Sequence, residues 1–308
     1  ENETYRVGGL AITGEEAFLK SFAPTFSTYL TQQISTVYPG VGFVTVPLGF
    51  EDVWNAASSA SVDFLFINPS LASCMERQDT LETSEFGTST VLSLRNIRQG
   101  HEQSVFGGVV ITAANNTDIT TIAHLKDKVV EGVAISSLGA FQLQWGMLQD
   151  AGLNLMADPL EVRLAQNQKK VVYDVIAGSA DVGFVRTDMV EGMDAAELVP
   201  EWALQVLPHV PADVVKEVVR ALMLLDKTHE ASLSGSYSAW DAPLSDSSII
   251  SLQVQLGVLD LEQRRCIEAH NVYDAVVCPE GYFKISEERF NSKCTDLGSE
   301  CGSFPRLS

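Results

Sequence analysis

Val129–Gly152 reads VVEGVAISSLGAFQLQWGMLQDAG, an apolar strand that enters Ser136-Ser137-Leu138-Gly139 and passes straight into a helix. A junction of this kind has the chemistry of a small anion cradle. Ser136 and Ser137 offer hydroxyl donors and an N-cap, and Gly139 lets the backbone approach a ligand closely. The free N–H groups of the first helical turn point outward at the positive end of the helix dipole. A carboxylate, phosphonate or similar oxyanion fits such a place. Ser and Gly also serve at many strand-to-helix junctions as caps alone, so the local sequence leaves capping and binding both open.

The same alternation extends on both sides of this stretch. Residues 105–113, 129–135, 159–165 and 181–187 read as strands, and 121–126, 139–151 and 167–178 as the helices between them. Nearer the N-terminus, YRVGGLAI (5–12), VGFVTVPL (41–48) and DFLFIN (63–68) are short apolar or alternating runs bounded by Gly, Pro and Asn, the pattern of strands. Helical spacing recurs over 24–34 and 50–60. Pro24 suits a first helical turn better than an interior, so a helix beginning near Gly14 is expected to break before it. Repeated strand–helix–strand order predicts a mostly parallel sheet with right-handed crossovers. From Pro208 the order changes to helices: 211–228, with Val214, Val218 and Leu222 on one apolar face, then 247–259, then a last helix over 260–270.

Composition sets the class. A chain of 308 residues with 45% hydrophobic and 19% charged residues is long enough for two lobes and rich enough to build their cores. No run approaches the roughly 18–20 apolar residues of a membrane span. The start, ENETYRVGG, lacks the basic and apolar regions of a signal peptide, so an exported protein would have lost its signal before this point. A formal charge of −20 repels polyphosphate backbones and anionic lipid, which excludes nucleic acid as an expected partner. A recessed site built of backbone dipoles and hydroxyls still accepts a small anion, because exposed charge is screened over about 8 Å at physiological salt.

Of the five cysteines, Cys74 stands alone in the body, while Cys266, Cys278, Cys294 and Cys301 cluster at the end. In a stretch rich in Gly, Ser, Asn and Pro, this clustering predicts a disulfide-stapled module in an oxidising compartment, with Cys74 a buried free thiol. Three pairings of the four are open. Their spacing contains no C-x-x-C, which argues against a zinc ribbon, and the dispersed histidines 101, 124, 209, 229 and 270 form no metal pattern. The sequons Asn2-Glu3-Thr4 and Asn115-Asn116-Thr117 agree with secretion.

NPS after the strand DFLFI, then VLSLRNIRQG, FGGVVITAANNTDITTIAHLKDK, SSLGAFQLQWGMLQDAG, VIAGSADVGFVRTDMVE and VPEWALQVLPHVPADVVKEVVRALMLL together resemble the phosphonate-binding-protein-like family. More narrowly they resemble the periplasmic sensor domains of tetrathionate-sensor-type histidine kinases, whose pattern ends in a segment similar to AWDAPLSDSSIISLQVQLGVL. The likeness runs from about Tyr5 to about Leu259. It implies an α/β, two-lobed type II periplasmic-binding-protein fold that closes on a ligand in a cleft, here followed by a cysteine-rich C-terminal tail. Lobe 1 would comprise 1–104 plus 206–265, lobe 2 would comprise 105–205, and 266–308 would form the tail. The tail departs from the family: CPEGYF followed by two further cysteines resembles the start of cysteine-rich repeats on eukaryotic receptor ectodomains.

Open α/β sheets bind small molecules at the carboxyl ends of their strands. The matching ends give the candidate ligand-binding residues Thr13, Asn68, Ser70, Ser136, Ser137, Gly139, Arg186 and Thr187. Arg186 ends a short apolar strand, where a guanidinium forms a bidentate pair with an oxyanion or a structural ion pair with Asp181 or Asp188. Asn68 and Ser70 suit a ligand contact and an Asx turn with a helix cap equally. Asp181 reads as a strand-start residue, and Phe141 and Trp145, at i and i+4, as core. No nucleophile–base pair, G-x-S-x-G elbow, H-E-x-x-H or P-loop lysine motif is present, and no catalytic residue, metal or cofactor is expected. The expected function is the extracellular or periplasmic ligand-binding ectodomain of a membrane-tethered receptor. It would bind a small anion, act as a homodimer, and signal through a kinase or cyclase outside this chain. The alternative is a solute-binding protein of an ABC importer for phosphonate-like anions.

Overall fold

Short apolar runs such as Val41–Leu48 and Phe64–Ile67 form strands because β-branched and aromatic side chains pack well on a pleated surface. The computed structural model describes residues 3–50, 52–77, 87–98, 100–189, 198–261, 265–266 and 282–283. In chain order the main elements are β1 (Glu3–Leu10), α1 (Glu15–Ala23), β2 (Val41–Leu48), α2 (Asp52–Ser58), β3 (Phe64–Ile67), α3 (Pro69–Arg77), β4 (Ser89–Arg98), β5 (Gly108–Thr112), β6 (Val129–Gly132), α4 (Leu143–Asp150), β7 (Glu161–Leu164), α5 (Gln168–Ala177), β8 (Val182–Arg186), β9 (Ala203–Val206), α6 (Ala212–Met223), β10 (Tyr237–Asp241) and α7 (Ser247–Gln255).

The chain divides into two compact units. The first takes the chain up to Phe106 together with Leu198–Ser251 and Leu259–Cys266. Its sheet runs in the order β10-β4-β9-β3-β1-β2, with His101–Gln103 paired to β4. β1 is parallel to β2 and β3, whereas β9 and β10 pair antiparallel with their neighbours, so the sheet is mixed instead of mostly parallel. Phe26, Phe64, Phe66 and Tyr237 are fully buried within it. Phe66 packs against Phe22, Phe26, Trp202 and Trp240 with ring centroids 4.8–5.6 Å apart, an aromatic centre of the kind that dominates core energetics.

Pro24 does not end the first helix. The chain continues from α1 through a wide π turn, Pro24–Tyr29, into the helical segment Leu30–Ile34. Proline removes an N–H and crowds the preceding turn, and widening the turn accommodates both defects without a break. This lets Phe22 and Phe26 reach the same aromatic centre.

The second unit starts at Gly107 and includes Leu252–Val258. Its strand order is β7-β6-β8-β5, with Tyr282–Phe283 antiparallel to the outer side of β7. β6 is parallel to β7 and β8, and β5 returns antiparallel to β8. Its core contains Val130, Phe141, Leu148, Val162, Val182 and Phe184, with Trp145 packed against the edge. Phe141 meets Trp145 and Phe184 edge-on, so Phe141 of the expected i, i+4 pair lies in the core and the partly buried Trp145 packs against it.

Two expectations near the C-terminus are corrected. The helix expected over 260–270 is replaced in its described part by Leu259–Asp260 pairing antiparallel with Arg265–Cys266. Cys74 is not a free thiol: it is disulfide-bonded to Cys266 within the first unit. The antiparallel pairing carries Cys266 onto α3, where Cys74 lies buried, and local sequence spacing gives no hint of that return. Cys278, Cys294 and Cys301 lie outside the described residues. Among the described residues, no helix is long and apolar enough to cross a membrane.

Candidate functional site

In the second unit the chain leaves β6 at Gly132 and turns before Ser137. The Ser137 N–H donates to the Ala134 carbonyl at 2.9 Å. Ser137 is the N-cap of the helical run, with φ −78° and ψ 106°, and its hydroxyl makes no capping hydrogen bond. The first turn, Leu138–Gln142, is a wide π turn that leads into α4, with Ala140 outside helical geometry at φ −130° and ψ 28°. Its closing bond runs from the Gln142 N–H to the Ser137 carbonyl at 3.0 Å. The expected helix start is therefore present, but in widened form. Ser136 and Ser137 are half-buried, and Leu138, Gly139 and Ala140 are buried.

Close packing against two glycines shapes the turn. A Cβ on Gly132 would lie 2.6 Å from Phe141 Cδ2 and 3.0 Å from the Ala140 carbonyl oxygen. The Ala140 carbonyl accepts from the Val133 N–H at 3.0 Å, which ties the turn to the end of β6. A Cβ on Gly108, at the start of β5, would lie 2.6 Å from Gln144 Nε2 and 3.0 Å from the Gly139 carbonyl oxygen. Sequence reasoning does not single out Gln144. It is fully buried, and its Nε2, with two N–H donors, lies within hydrogen-bond distance of three carbonyls, those of Gly139 and Val185 at 2.9 Å and of Val109 at 3.1 Å. The one signal in the sequence is a polar residue interrupting the apolar face of FQLQWGML.

Arg186 ends β8, as expected, but its side chain is buried and its Nε donates to Asp188 Oδ1 at 2.9 Å. The ion pair with Asp188 is thus formed. The Arg186 N–H donates to Gln168 Oε1 at 2.9 Å, which ties β8 to the first residue of α5. Thr187 and Gly107 bond reciprocally: the Thr187 N–H donates to the Gly107 carbonyl at 3.0 Å and the Gly107 N–H to Thr187 Oγ1 at 3.2 Å. Through Gln144, the structure brings Gly139 and the Val185–Arg186 strand end together. Asp181 is a strand-start residue whose Oδ2 accepts from the Val129 N–H at 2.9 Å.

In the first unit, Thr13 and Asn68 follow the carboxyl ends of the adjacent parallel strands β1 and β3. Thr13 is exposed on a turn closed by the Gly14 N–H donating to the Ala11 carbonyl at 3.0 Å. Gly14 has φ +97°, a conformation glycine adopts without strain. Asn68 Oδ1 accepts from the N–H groups of Ser70 at 2.9 Å and Leu71 at 3.2 Å, so Asn68 caps α3. Asn68 and Ser70 are both buried. Among the described residues, no group of three or more His, Cys, Asp or Glu is arranged to hold a metal ion. Within the second unit, the candidate residues offer backbone amides, the hydroxyls of Ser136, Ser137 and Thr187, and the buried guanidinium of Arg186.

The fold matches solved binding proteins across nearly the whole chain. A Prochlorococcus marinus protein, PhnD1, in complex with methylphosphonate aligns at TM-score 0.63 and 13% identity, covering 83% of this chain and 99% of that one. A binding-protein component of a phosphonate ABC transporter from Pseudomonas aeruginosa aligns at 0.61 and 11%, covering 97% and 95%. A Xanthomonas citri protein bound to ATP aligns at 0.62 and 14%, covering 89% and 100%. At these identities the likeness establishes the type II periplasmic-binding fold. Among curated proteins, none matches the sequence significantly. The family model for the periplasmic substrate-binding protein of phosphonate ABC transporters matches residues 15–236, and the chain belongs to that family of binding proteins.

Proposed function

We propose that this chain is a solute-binding protein that takes a small tetrahedral oxyanion of the phosphonate or phosphate type at the Ser136–Gly139 helix start. The reading rests on one observation above all: the family match over 15–236 spans a helix start whose N-cap hydroxyl, on Ser137, is not consumed by capping. The first amides of a helix have no acceptor within it, and they favour an anion through both hydrogen bonding and the dipole. Ser136, Ser137 and Gly139 are the proposed principal contacts. Arg186 and Thr187, in the same unit, are proposed as further contacts. A net charge of −20 makes the short-range amides and hydroxyls, rather than the surface field, the source of affinity. Titration calorimetry with methylphosphonate, inorganic phosphate and sulfate tests the reading. Saturable binding of methylphosphonate or inorganic phosphate at a single site supports it, and no heat from either at millimolar concentration overturns it.

A second reading, the ectodomain of a membrane-tethered, homodimeric sensor, draws its support from the cysteine-rich sequence of 266–308. It shares the anion site and differs in the domains joined to it. The gene sequence beyond Ser308 separates the two. A membrane helix with a kinase or cyclase domain after it establishes the sensor, and an operon encoding importer subunits establishes transport.

A further inference from the structure

We infer that Gln144 is the positioning residue of the anion cradle. Its buried amide aims one first-turn donor, the Ala140 N–H, by holding the Gly139 carbonyl on the other side of the same peptide plane. This rests on the reading of Ser136–Gly139 as the anion site.

Three features converge on this side chain. The two N–H donors of Gln144 Nε2 sit among the carbonyls of Gly139, within its own helical run, of Val185 on β8 and of Val109 on β5, with Gly139 and Val185 nearest at 2.9 Å. Val185 and Val109 are register partners in that strand pair, one step from the Arg186–Gly108 pair. Gly108 leaves the space that Nε2 and the Gly139 carbonyl occupy, since a Cβ there would sit 2.6 and 3.0 Å from them. The amide thus joins the helix start to both strands at one point.

Peptide geometry carries the consequence to the ligand. A carbonyl and the N–H of the next residue lie in one plane and point in opposite directions. With the Gly139 carbonyl drawn toward the strands by Gln144, the Ala140 N–H must face away from them. The Ala140 carbonyl is held by the Val133 N–H, which fixes the Phe141 N–H in the same manner. Gln144 therefore sets the direction of a first-turn donor without touching the ligand. Preorganised donors bind an anion more tightly than donors that must reorient on binding.

The test compares Gln144→Met and Gln144→Glu with wild type and with Ser137→Asp, by calorimetry against whichever of methylphosphonate or inorganic phosphate the wild type binds. Gln144→Met keeps the length and removes the donor, and affinity should fall at least tenfold while circular dichroism stays native. In Gln144→Glu the carboxyl donates only when protonated, so the affinity ratio of variant to wild type should fall further as pH rises from 5 to 8. Taking the ratio cancels the probe's own ionisation. In the wild type, the Ala140 amide should show one of the largest 15N–1H shift changes on adding the probe, a readout that needs no variant to fold. Wild-type affinity in both Gln144 variants, or an unmoved Ala140 amide, overturns the role of Gln144 while Ser137→Asp still loses binding. Unchanged affinity in Ser137→Asp, or no binding by wild type, overturns the anion site itself and the inference with it.

Discussion

Cys74, on α3, and Cys266, near the end of the described chain, are joined by a disulfide with their Cα atoms 5.7 Å apart, although 192 residues separate them in sequence. A crosslink closing so long a loop removes much conformational freedom from the unfolded chain, worth about 3–5 kcal/mol in the entropy model. Double substitution, Cys74→Ala with Cys266→Ala, should lower thermal stability by several degrees and leave the fold of the folded state intact. Non-reducing peptide mapping should recover Cys74 and Cys266 in one crosslinked species. Alkylation of Cys74 in the unreduced protein contradicts the assignment.

Glu131 should make the second unit less stable as pH rises through neutrality. Its side chain lies almost wholly inside the unit, 4% exposed, with Lys170 Nζ at 3.7 Å and Lys170 itself paired to Asp174. Burial pushes the Glu131 carboxyl up to about 7, and the hydrogen bond and charge of Asp174 push the same way against the weaker pull of Lys170 and Arg163. The folded state then holds a proton that the unfolded chain releases near pH 4.5. Its stabilisation is complete below that value and is lost as pH rises through about 7. The loss is at most about 3 kcal/mol, less where water screens the carboxyl. Melting temperatures should therefore fall between pH 5 and 8 in wild type, and Glu131→Gln should flatten that slope. Parallel slopes in the two proteins contradict the account.

Gly132→Ala should destabilise the second unit by about 1–3 kcal/mol, the usual cost of forcing extra volume into a packed interior. The added methyl meets Phe141 Cδ2 at 2.6 Å and the Ala140 carbonyl at 3.0 Å, and the backbone atom has little room to yield. Chemical denaturation of the variant checks this. Unchanged stability would mean the π turn is looser than its contacts require.

Much of the molecule is legible from the sequence, for reasons particular to each element. Val41–Leu48 has the same bounds in sequence and structure, because its apolar run is framed by turn residues that leave no alternative. Ser89–Arg98 is not readable as a strand. Its buried positions include Ser93 and Asn96, and burial of polar side chains is invisible until their partners are known, here the Leu244 N–H on Ser93 Oγ. The Ser136–Gly139 junction is visible as a strand-to-helix turn. The widening of its first turn is not, because it goes with Gly132 packing on Phe141 and Ala140 and Gly108 packing on Gln144 and Gly139, contacts between strands and helix far apart in sequence. The Cys74 partnership is hidden for the same reason: four of the five cysteines cluster, and the pairing crosses the length of the chain.

The central claim is that Ser137 and the amides behind it receive an anion, and Ser137→Asp tests it most directly. A carboxylate there occupies the place of the ligand's charge, and like charges at short range in a poorly screened site repel by on the order of several kcal/mol. The account predicts that calorimetry with methylphosphonate or inorganic phosphate detects single-site binding in wild type and none in the variant, with the melting temperature of the unliganded protein within about 2 °C of wild type, as expected when one favourable N-cap residue replaces another. Equal affinity in the two proteins would contradict it and leave the junction a helix cap.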